Sequence, residues 1–117
     1  GWPEVIKTHE ERLRGKIAEI TQSVAVDETR VLQEIAIYME RVDISEEIVR
    51  LTGHLDNFRG TLASLEPMGR KLDFIIQEMV RETNTIGSKS NDLYINERVI
   101  GIKVEIEKMR EQVQNVE

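Results

Sequence analysis

Two glutamates one helical turn apart, Glu78 and Glu82, are the side chains of this sequence whose type and spacing best suit chemistry. Two carboxylates on one face of a helix can hold a divalent metal ion or exchange protons. Asp73 lies in the same stretch and could supply a third carboxylate. The simpler interpretation is structural, because Glu-x-x-x-Glu is common on helices: the two glutamates are solvated, or paired with Lys71, Arg81 or another helix.

His54 is the second residue that could do chemistry, since a neutral imidazole can bind a metal or act as a general base near neutral pH. It lies beside an apolar stripe, in the same heptad position as Glu47, where it could meet the helix that carries the glutamates. The simpler interpretation is a half-buried surface histidine that hydrogen-bonds to Glu47 or Arg50. The other histidine, His9, stands among charged residues and is expected to be exposed.

The stretch from Gly69 to Asn91 gathers polar groups of several kinds on one side of a helical wheel. A solvated face consists mainly of Glu and Lys, whereas this side mixes amide, hydroxyl, acidic and basic groups. Residues 69–89 contain four basic and three acidic residues, although the 117-residue chain has a formal net charge of -6. A locally basic face on an acidic protein can guide a phosphate backbone. Phe74 also lies on this side, where it could stack on an unpaired base or, as we favour, pack against a neighbouring helix.

The elements that must position these residues are helices, because apolar residues recur at steps of three and four along most of the chain. We predict an all-α, antiparallel bundle of about five helices, over residues 4–23, 28–42, 45–65, 70–87 and 93–115. The long stripes also suit coiled-coil-like packing within or between chains, so we expect oligomerisation. The boundary signals are Asp27, a capping box of Asp43 and Glu46, Pro67-Met68-Gly69, and Asn91 or Asp92.

The composition excludes several classes of function. The absence of cysteine excludes disulfides, thiolate catalysis and cysteine-bound zinc, and it is compatible with the cytoplasm, where we expect the protein to be. No apolar run approaches the ~20 residues that span a bilayer, so we expect no membrane association. Glycine-rich nucleotide-binding motifs and hydrolase motifs are absent, so no small-molecule cofactor is expected. An oxygen-ligand site for magnesium or manganese stays open.

Four segments together resemble the C-terminal domain of the YicC/YloC family: DISEEIVRL (43–51), GHLDNFR (53–59), PMGRKLDFIIQEMVRETNTIGSKSND (67–92) and REQVQN (110–115). The similarity covers most of the chain and is strongest from residue 43 to residue 92. It implies a bacterial, divalent-metal-dependent endoribonuclease, once described as stress-induced, that assembles as a hexamer and has an additional N-terminal domain. Residues 1–117 would then be a single helical domain, the C-terminal one.

The family pattern falls mostly on the residues that the helical wheel singles out. The departures are Gly53, where we expect a small polar residue, Val80, where we expect Asn, and Thr83, where we expect Ala. The matching positions are His54, Phe58, Arg59, Gly69, Arg70, Lys71, Asp73, Phe74, Gln77, Glu78, Arg81, Glu82, Asn84, Thr85, Ser88 and Lys89.

The preferred function is metal-assisted cleavage of RNA, with His54, Asp73, Glu78 and Glu82 as the catalytic residues. The three carboxylates would hold manganese or magnesium. RNA would be bound by Arg59, Arg70, Lys71, Phe74, Gln77, Arg81, Asn84, Thr85, Ser88 and Lys89. This hypothesis requires the polar side of the 70–87 helix to face a cavity or an adjoining subunit. The alternatives are a non-catalytic RNA-binding and oligomerisation module, and an acidic helical adaptor for another protein.

Overall fold

The computed structural model describes residues 1–28, 44–64 and 69–116. Over these ranges the chain forms four α-helices and no strand, which confirms the all-α prediction. The predicted helix over 28–42 lies almost entirely outside the described residues, so a fifth helix stays a prediction. The helices are α1 (Trp2–Glu28), α2 (Ser45–Leu62), α3 (Gly69–Lys89) and α4 (Leu93–Val116).

The helix ends follow the sequence signals only in part. Helix α1 continues past the predicted end at residue 23, because residues 24–28 contain no proline or glycine, so Asp27 lies inside α1. Ile44 is the N-cap of α2 and makes no side-chain capping hydrogen bond, while Asp43 lies outside the described residues. The start of α4 is as predicted, because Asp92 Oδ1 accepts a hydrogen bond of 3.0 Å from the backbone N–H of Ile95.

The four helices pack as an elongated antiparallel bundle with extents of 52 × 20 × 20 Å. Helix α1 packs on α2 and α4, and α3 packs on α2 and α4. Ion pairs across the interfaces show the antiparallel order, since Glu19 near the end of α1 meets Arg98 near the start of α4. The described helices also lack any apolar stretch long enough to cross a bilayer.

Each helix contributes an apolar stripe to one continuous core. Phe58 of α2 is completely buried and is the largest of the fully buried side chains. Helix α3 buries the face that the helical wheel predicts, with Leu72, Ile75, Ile76, Met79 and Ile86 inside. Because burial of these side chains is worth about 1.5–3 kcal/mol each, the core fixes the rotation of α3 and directs its opposite side to solvent.

Candidate functional site

The exposed side of α3 carries only basic and uncharged side chains. The three acidic residues of this helix, Asp73, Glu78 and Glu82, are half-buried or buried. The exposed residues are Arg70, Lys71, Phe74, Gln77, Arg81, Asn84 and Ser88. Apart from Lys71 they succeed one another at steps of three and four, so they lie along one line of about 27 Å on the helix surface. We call these seven residues the α3 stripe.

The α3 stripe is a basic surface on a molecule that exposes many acids elsewhere. Helices α1, α2 and α4 each expose acidic residues, among them Glu11, Glu46 and Glu107. Within the described ranges the side chains of Arg70 and Arg81 have no ion-pair partner. Their charges are therefore available to an anionic ligand.

The hydroxyl groups near the stripe are hydrogen-bonded to the helix backbone. Thr85 Oγ1 donates to the carbonyl oxygen of Arg81 at 3.0 Å, and Ser88 Oγ donates to that of Thr85 at 3.0 Å. Gln77 Nε2 donates to Asp73 Oδ2 at 3.3 Å, which leaves the amide oxygen of Gln77 exposed. A ligand at this surface would thus meet hydroxyl and amide oxygens beside the cations.

Phe74 is 61% exposed on the α3 stripe. The favoured expectation that it packs against a neighbouring helix is therefore wrong for the described part of the chain. The reason is its position on α3: residue 74 lies on the side away from Leu72, Ile75 and Met79, which face the core.

Glu82 does not lie on the outer face that the helical wheel gave it. It is 8% exposed, and its Oε1 accepts a hydrogen bond of 3.0 Å from Arg50 Nε on α2. The same guanidinium donates from Nη2 to Glu47 Oε1 at 3.1 Å, and Lys89 Nζ donates to that oxygen at 3.0 Å. Glu47, Arg50, Glu82 and Lys89 form a charged network, the α2–α3 network, that joins the two helices.

The α2–α3 network changes the acidity of Glu47 and Arg50. Burial works to raise the pKa of Glu47, but the hydrogen bond from Lys89 and the charges of Lys89 and Arg50 outweigh it, so the pKa of Glu47 lies below its ordinary value. The hydrogen bond to Glu82 is the main reason why the pKa of Arg50 lies above its ordinary value. The charged forms of Glu47 and Arg50 are therefore both stabilised by the network.

A Glu47→Gln variant is expected to flatten the dependence of folding stability on acid pH. Because the folded-state pKa of Glu47 is lowered, its contribution is complete above the unfolded-state pKa and is lost as the pH falls through the folded-state value. Urea unfolding over a pH series measures this loss in the wild type and in the variant. Glu11→Gln on α1 is the control, since Glu11 is exposed and has no ion-pair partner among the described residues. Equal pH slopes in the wild type and the Glu47→Gln variant would contradict the role of the network.

His54 and Glu78 lie at the same level of the α2–α3 pair. Arg50 meets Glu82 across the antiparallel helices, so one turn onward in α2 leads to His54 and one turn back in α3 leads to Glu78. Both residues are half-buried, and neither has a hydrogen-bond or ion-pair partner among the described residues. Within the described residues, His54 does not make the expected hydrogen bond to Glu47 or Arg50. Those two side chains bind each other and residues of α3 instead.

Arg59 and His9 pair with acidic residues of neighbouring helices. Arg59 Nε donates to Glu10 Oε1 at 3.1 Å, which joins α2 to α1, and Glu10 also accepts a hydrogen bond from Arg14. The ring of His9 is half-buried, with Nδ1 2.6 Å from Glu105 Oε2 on α4. The prediction that His9 is exposed is wrong, because its position borders the buried stripe of α1.

The carboxylates of α3 do not gather into one cluster. The described part of the chain contains no group of three or more His, Asp or Glu side chains placed to hold a metal ion. Asp73 lies about 140° around α3 from Glu78. Magnesium, however, commonly binds one or two carboxylates, with water and substrate phosphates as its other ligands. Glu78 lies one turn from Glu82, whose Oε1 is bound by Arg50, and the structure does not bring Asp73 to this pair.

Two cavities of the described structure lie away from the α3 stripe. One of about 840 Å³ opens between α1 and α2, with Ile17, Ala18, Ile48 and Val49 in its lining. Another of about 630 Å³ lies near Trp2 at the other end of α1. Within the described residues of a single chain, the polar side of α3 therefore faces solvent and not the cavity that the sequence led us to expect.

The fold and the stripe define an all-α bundle that presents one basic helix face to solvent. The chain belongs to the YicC-like family, because all of residues 1–117 match the family described as "Endoribonuclease YicC-like, C-terminal". This confirms the resemblance found in the sequence.

Two relatives extend this assignment. The chain is 46% identical over 114 residues to a protein of Clostridioides difficile (strain 630) named "Probable endoribonuclease YicC". It is 39% identical over 115 residues to a protein of the same name from Haemophilus influenzae (strain ATCC 51907 / DSM 11121 / KW20 / Rd). The alignments cover 97% and 98% of the chain, but the chain spans only 39% of the length of each relative.

Proposed function

We propose that the chain is the RNA-cleaving domain of a bacterial, cytoplasmic endoribonuclease that requires a divalent metal ion, manganese or magnesium. The observation that carries this proposal is the α3 stripe, where every exposed charge is basic on a chain whose net charge is -6. The names of the two relatives support RNA as the substrate. An anionic polymer would bind this face and be repelled by the acidic remainder.

The α3 stripe provides two kinds of contact to RNA. Arg70, Lys71 and Arg81 would bind phosphates, which fixes the position of the strand without selecting its sequence. Gln77 and Asn84 would contact ribose hydroxyls or base edges, which is how proteins distinguish RNA from DNA. Arg59 and Lys89 contribute less in this proposal, because each already has a carboxylate partner within the chain.

We assign the chemistry to two adjacent turns of the α2–α3 pair. One turn holds His54 and Glu78, and the next holds Glu82. The two carboxylates would hold the divalent ion, which supplies Lewis-acid activation of the phosphodiester when bound. An imidazole nitrogen of His54 would take a proton from the water molecule whose oxygen attacks the phosphorus. The bond from phosphorus to the leaving ribose oxygen would break, and that oxygen would take up a proton from solvent. Arg81, three residues from Glu78, would stabilise the negative charge that develops on the phosphate.

Self-assembly into a hexamer, which the family resemblance implies, belongs to the same proposal. Helix α4 exposes three aliphatic side chains, Leu93, Ile100 and Val104, which a second copy could cover. A neighbouring subunit would also give the α3 stripe the enclosing wall that the single chain does not provide.

Metal removal tests the proposed chemistry. The intact protein is incubated with a defined RNA hairpin that has single-stranded flanks, in manganese, in magnesium or in EDTA. We expect cleavage with a metal ion and none in EDTA, while RNA binding persists in EDTA because the stripe binds phosphates through its own charges. A Glu78→Gln variant purified in parallel excludes a contaminating nuclease. Cleavage at the same rate in EDTA would refute metal dependence.

A non-catalytic RNA-binding and oligomerisation module is the second candidate. The α2–α3 network favours it, since Arg50 and Lys89 already neutralise the buried Glu47 and Glu82. This candidate predicts RNA binding that survives EDTA and no cleavage with either metal. Binding that is absent, or insensitive to salt, would instead indicate the protein adaptor.

A further inference from the structure

We infer that the α3 stripe is built for single-stranded RNA, with Phe74 as the surface on which one unpaired base stacks. The inference rests on the proposed function, because it names the form of RNA that the same surface selects. It is carried by the exposure of Phe74, by the charges beside it and by the contrast with Tyr94, the other exposed aromatic ring among the described residues.

Phe74 offers an uncovered aromatic face. Tyr94 is also exposed, at 41%, but the guanidinium carbon of Arg98 lies 3.6 Å from its ring centroid and occupies that face. Phe74 is 61% exposed and has no such cover among the described residues. Leaving a phenylalanine in water forgoes about 1.5–3 kcal/mol of burial, which a stacked base would recover.

The neighbours of Phe74 suit a nucleotide. Arg70 lies one turn before it and Gln77 one turn after it on the same line, so a cation and an amide flank the ring at about 5 Å of helix rise on either side. The combination of a basic track with an aromatic side chain is how proteins bind single strands, because every base has a stacking face. No exposed acid interrupts this part of the helix.

Duplex RNA would not stack a base on the ring of Phe74. In a double helix the faces of the bases are covered by their neighbours, and the deep, narrow major groove excludes side chains. The arginines of the stripe bind phosphates of either form. Phe74 therefore discriminates between the two forms, whereas Arg70 and Arg81 set the overall affinity.

Binding to two RNAs tests the role of Phe74. Fluorescence anisotropy in EDTA, which prevents cleavage, compares an unstructured oligonucleotide with a blunt-ended duplex of the same length. A Phe74→Leu variant of the intact protein keeps an apolar side chain but loses the ring. We expect its affinity for the single strand to fall about tenfold, and its affinity for the duplex to change less than about twofold. Val49→Ala is the control, since Val49 is a 70% exposed apolar residue on α2 that has no part in the proposed RNA or subunit contacts.

A fluorescence measurement reports the stacking directly. Trp2 is the single tryptophan of the chain, so Phe74→Trp in a Trp2→Phe background puts the sole indole on the stripe. Single-stranded RNA is expected to quench this indole, and the duplex is not. Equal losses of affinity for both RNAs, or none, in the Phe74→Leu variant would overturn the inference while RNA binding itself stands. Failure of the wild type to bind either RNA would overturn the proposed function and this inference together.

Discussion

Reversing the charges of Arg70 and Arg81 together is expected to weaken RNA binding by about 100-fold at low salt. Both side chains are exposed, and neither has an ion-pair partner among the described residues, so the fold does not depend on their charges. Each change to glutamate replaces attraction to a phosphate by repulsion. The loss should therefore fall on binding and leave the unfolding free energy nearly unchanged.

A matched double variant distinguishes the effect of the charges on the α3 stripe from the effect of the overall net charge on RNA affinity. Arg12 on α1 and Lys103 on α4 are exposed and also lack an ion-pair partner in the described ranges. Arg12→Glu with Lys103→Glu alters the net charge as much as the stripe variant does. We expect this control to lose less than about threefold in affinity, since screening limits charges that lie far from the RNA.

A salt series completes the measurement. Each phosphate contact that is lost lowers the slope of log affinity against log salt by about 1, so the stripe variant should lose about 2 from that slope. Equal losses in the stripe variant and the control would mean that only the overall charge matters. In that case the α3 stripe would not be the RNA-binding surface.

The periodicity of the sequence was sufficient to predict the secondary structure and the buried face of α3. Leu72, Ile76 and Met79 recur at helical spacing, and all three are completely buried. Periodicity is a local property that each helix carries in its own sequence. For the same reason the exposed residues of the stripe could be named before the fold was known.

The partners of the charged residues could not be predicted in the same way. Glu82 was assigned to the outer face because a helical wheel treats α3 alone, whereas the structure places Arg50 of α2 beside it. The pair of His9 and Glu105 joins residues 96 positions apart, and no local pattern links them. One signal was available: Glu47 shares its heptad position with His54, which indicates that both face α3.

The family resemblance identified residues without separating their roles. Among the matching positions, Phe58 is completely buried and Arg59 binds Glu10, so both serve the packing of α2. Arg70 and Arg81 match the pattern as well, but they are exposed and unpaired in the described structure. A shared pattern thus contains buried or paired residues together with exposed and unpaired ones, and only the structure distinguishes the two groups.

The second large effect is expected at Glu78, where a change to glutamine should lower the rate of RNA cleavage by about 100-fold or more. Glutamine keeps the shape of the side chain but lacks the charge that holds a divalent ion. Glu78 has no hydrogen-bond or ion-pair partner among the described residues, so the unfolding free energy should change by less than about 0.5 kcal/mol. Single-turnover cleavage by the intact protein at saturating manganese measures the rate, and calorimetric titration with manganese measures the affinity for the ion.

A Glu82→Gln variant shows whether the pair acts as one site. Because Glu82 accepts the hydrogen bond from Arg50, this variant should lose about 1–3 kcal/mol of stability in EDTA as well as the cleavage activity. If both carboxylates hold one ion, the Glu78→Gln, Glu82→Gln double variant should cleave no more slowly than the slower single variant. The reason is that the rate losses of residues that act as a unit are not additive. Wild-type cleavage by the Glu78→Gln variant would remove the pair from the chemistry. The domain would then bind RNA through the α3 stripe, and the catalytic groups would have to come from elsewhere in the assembly.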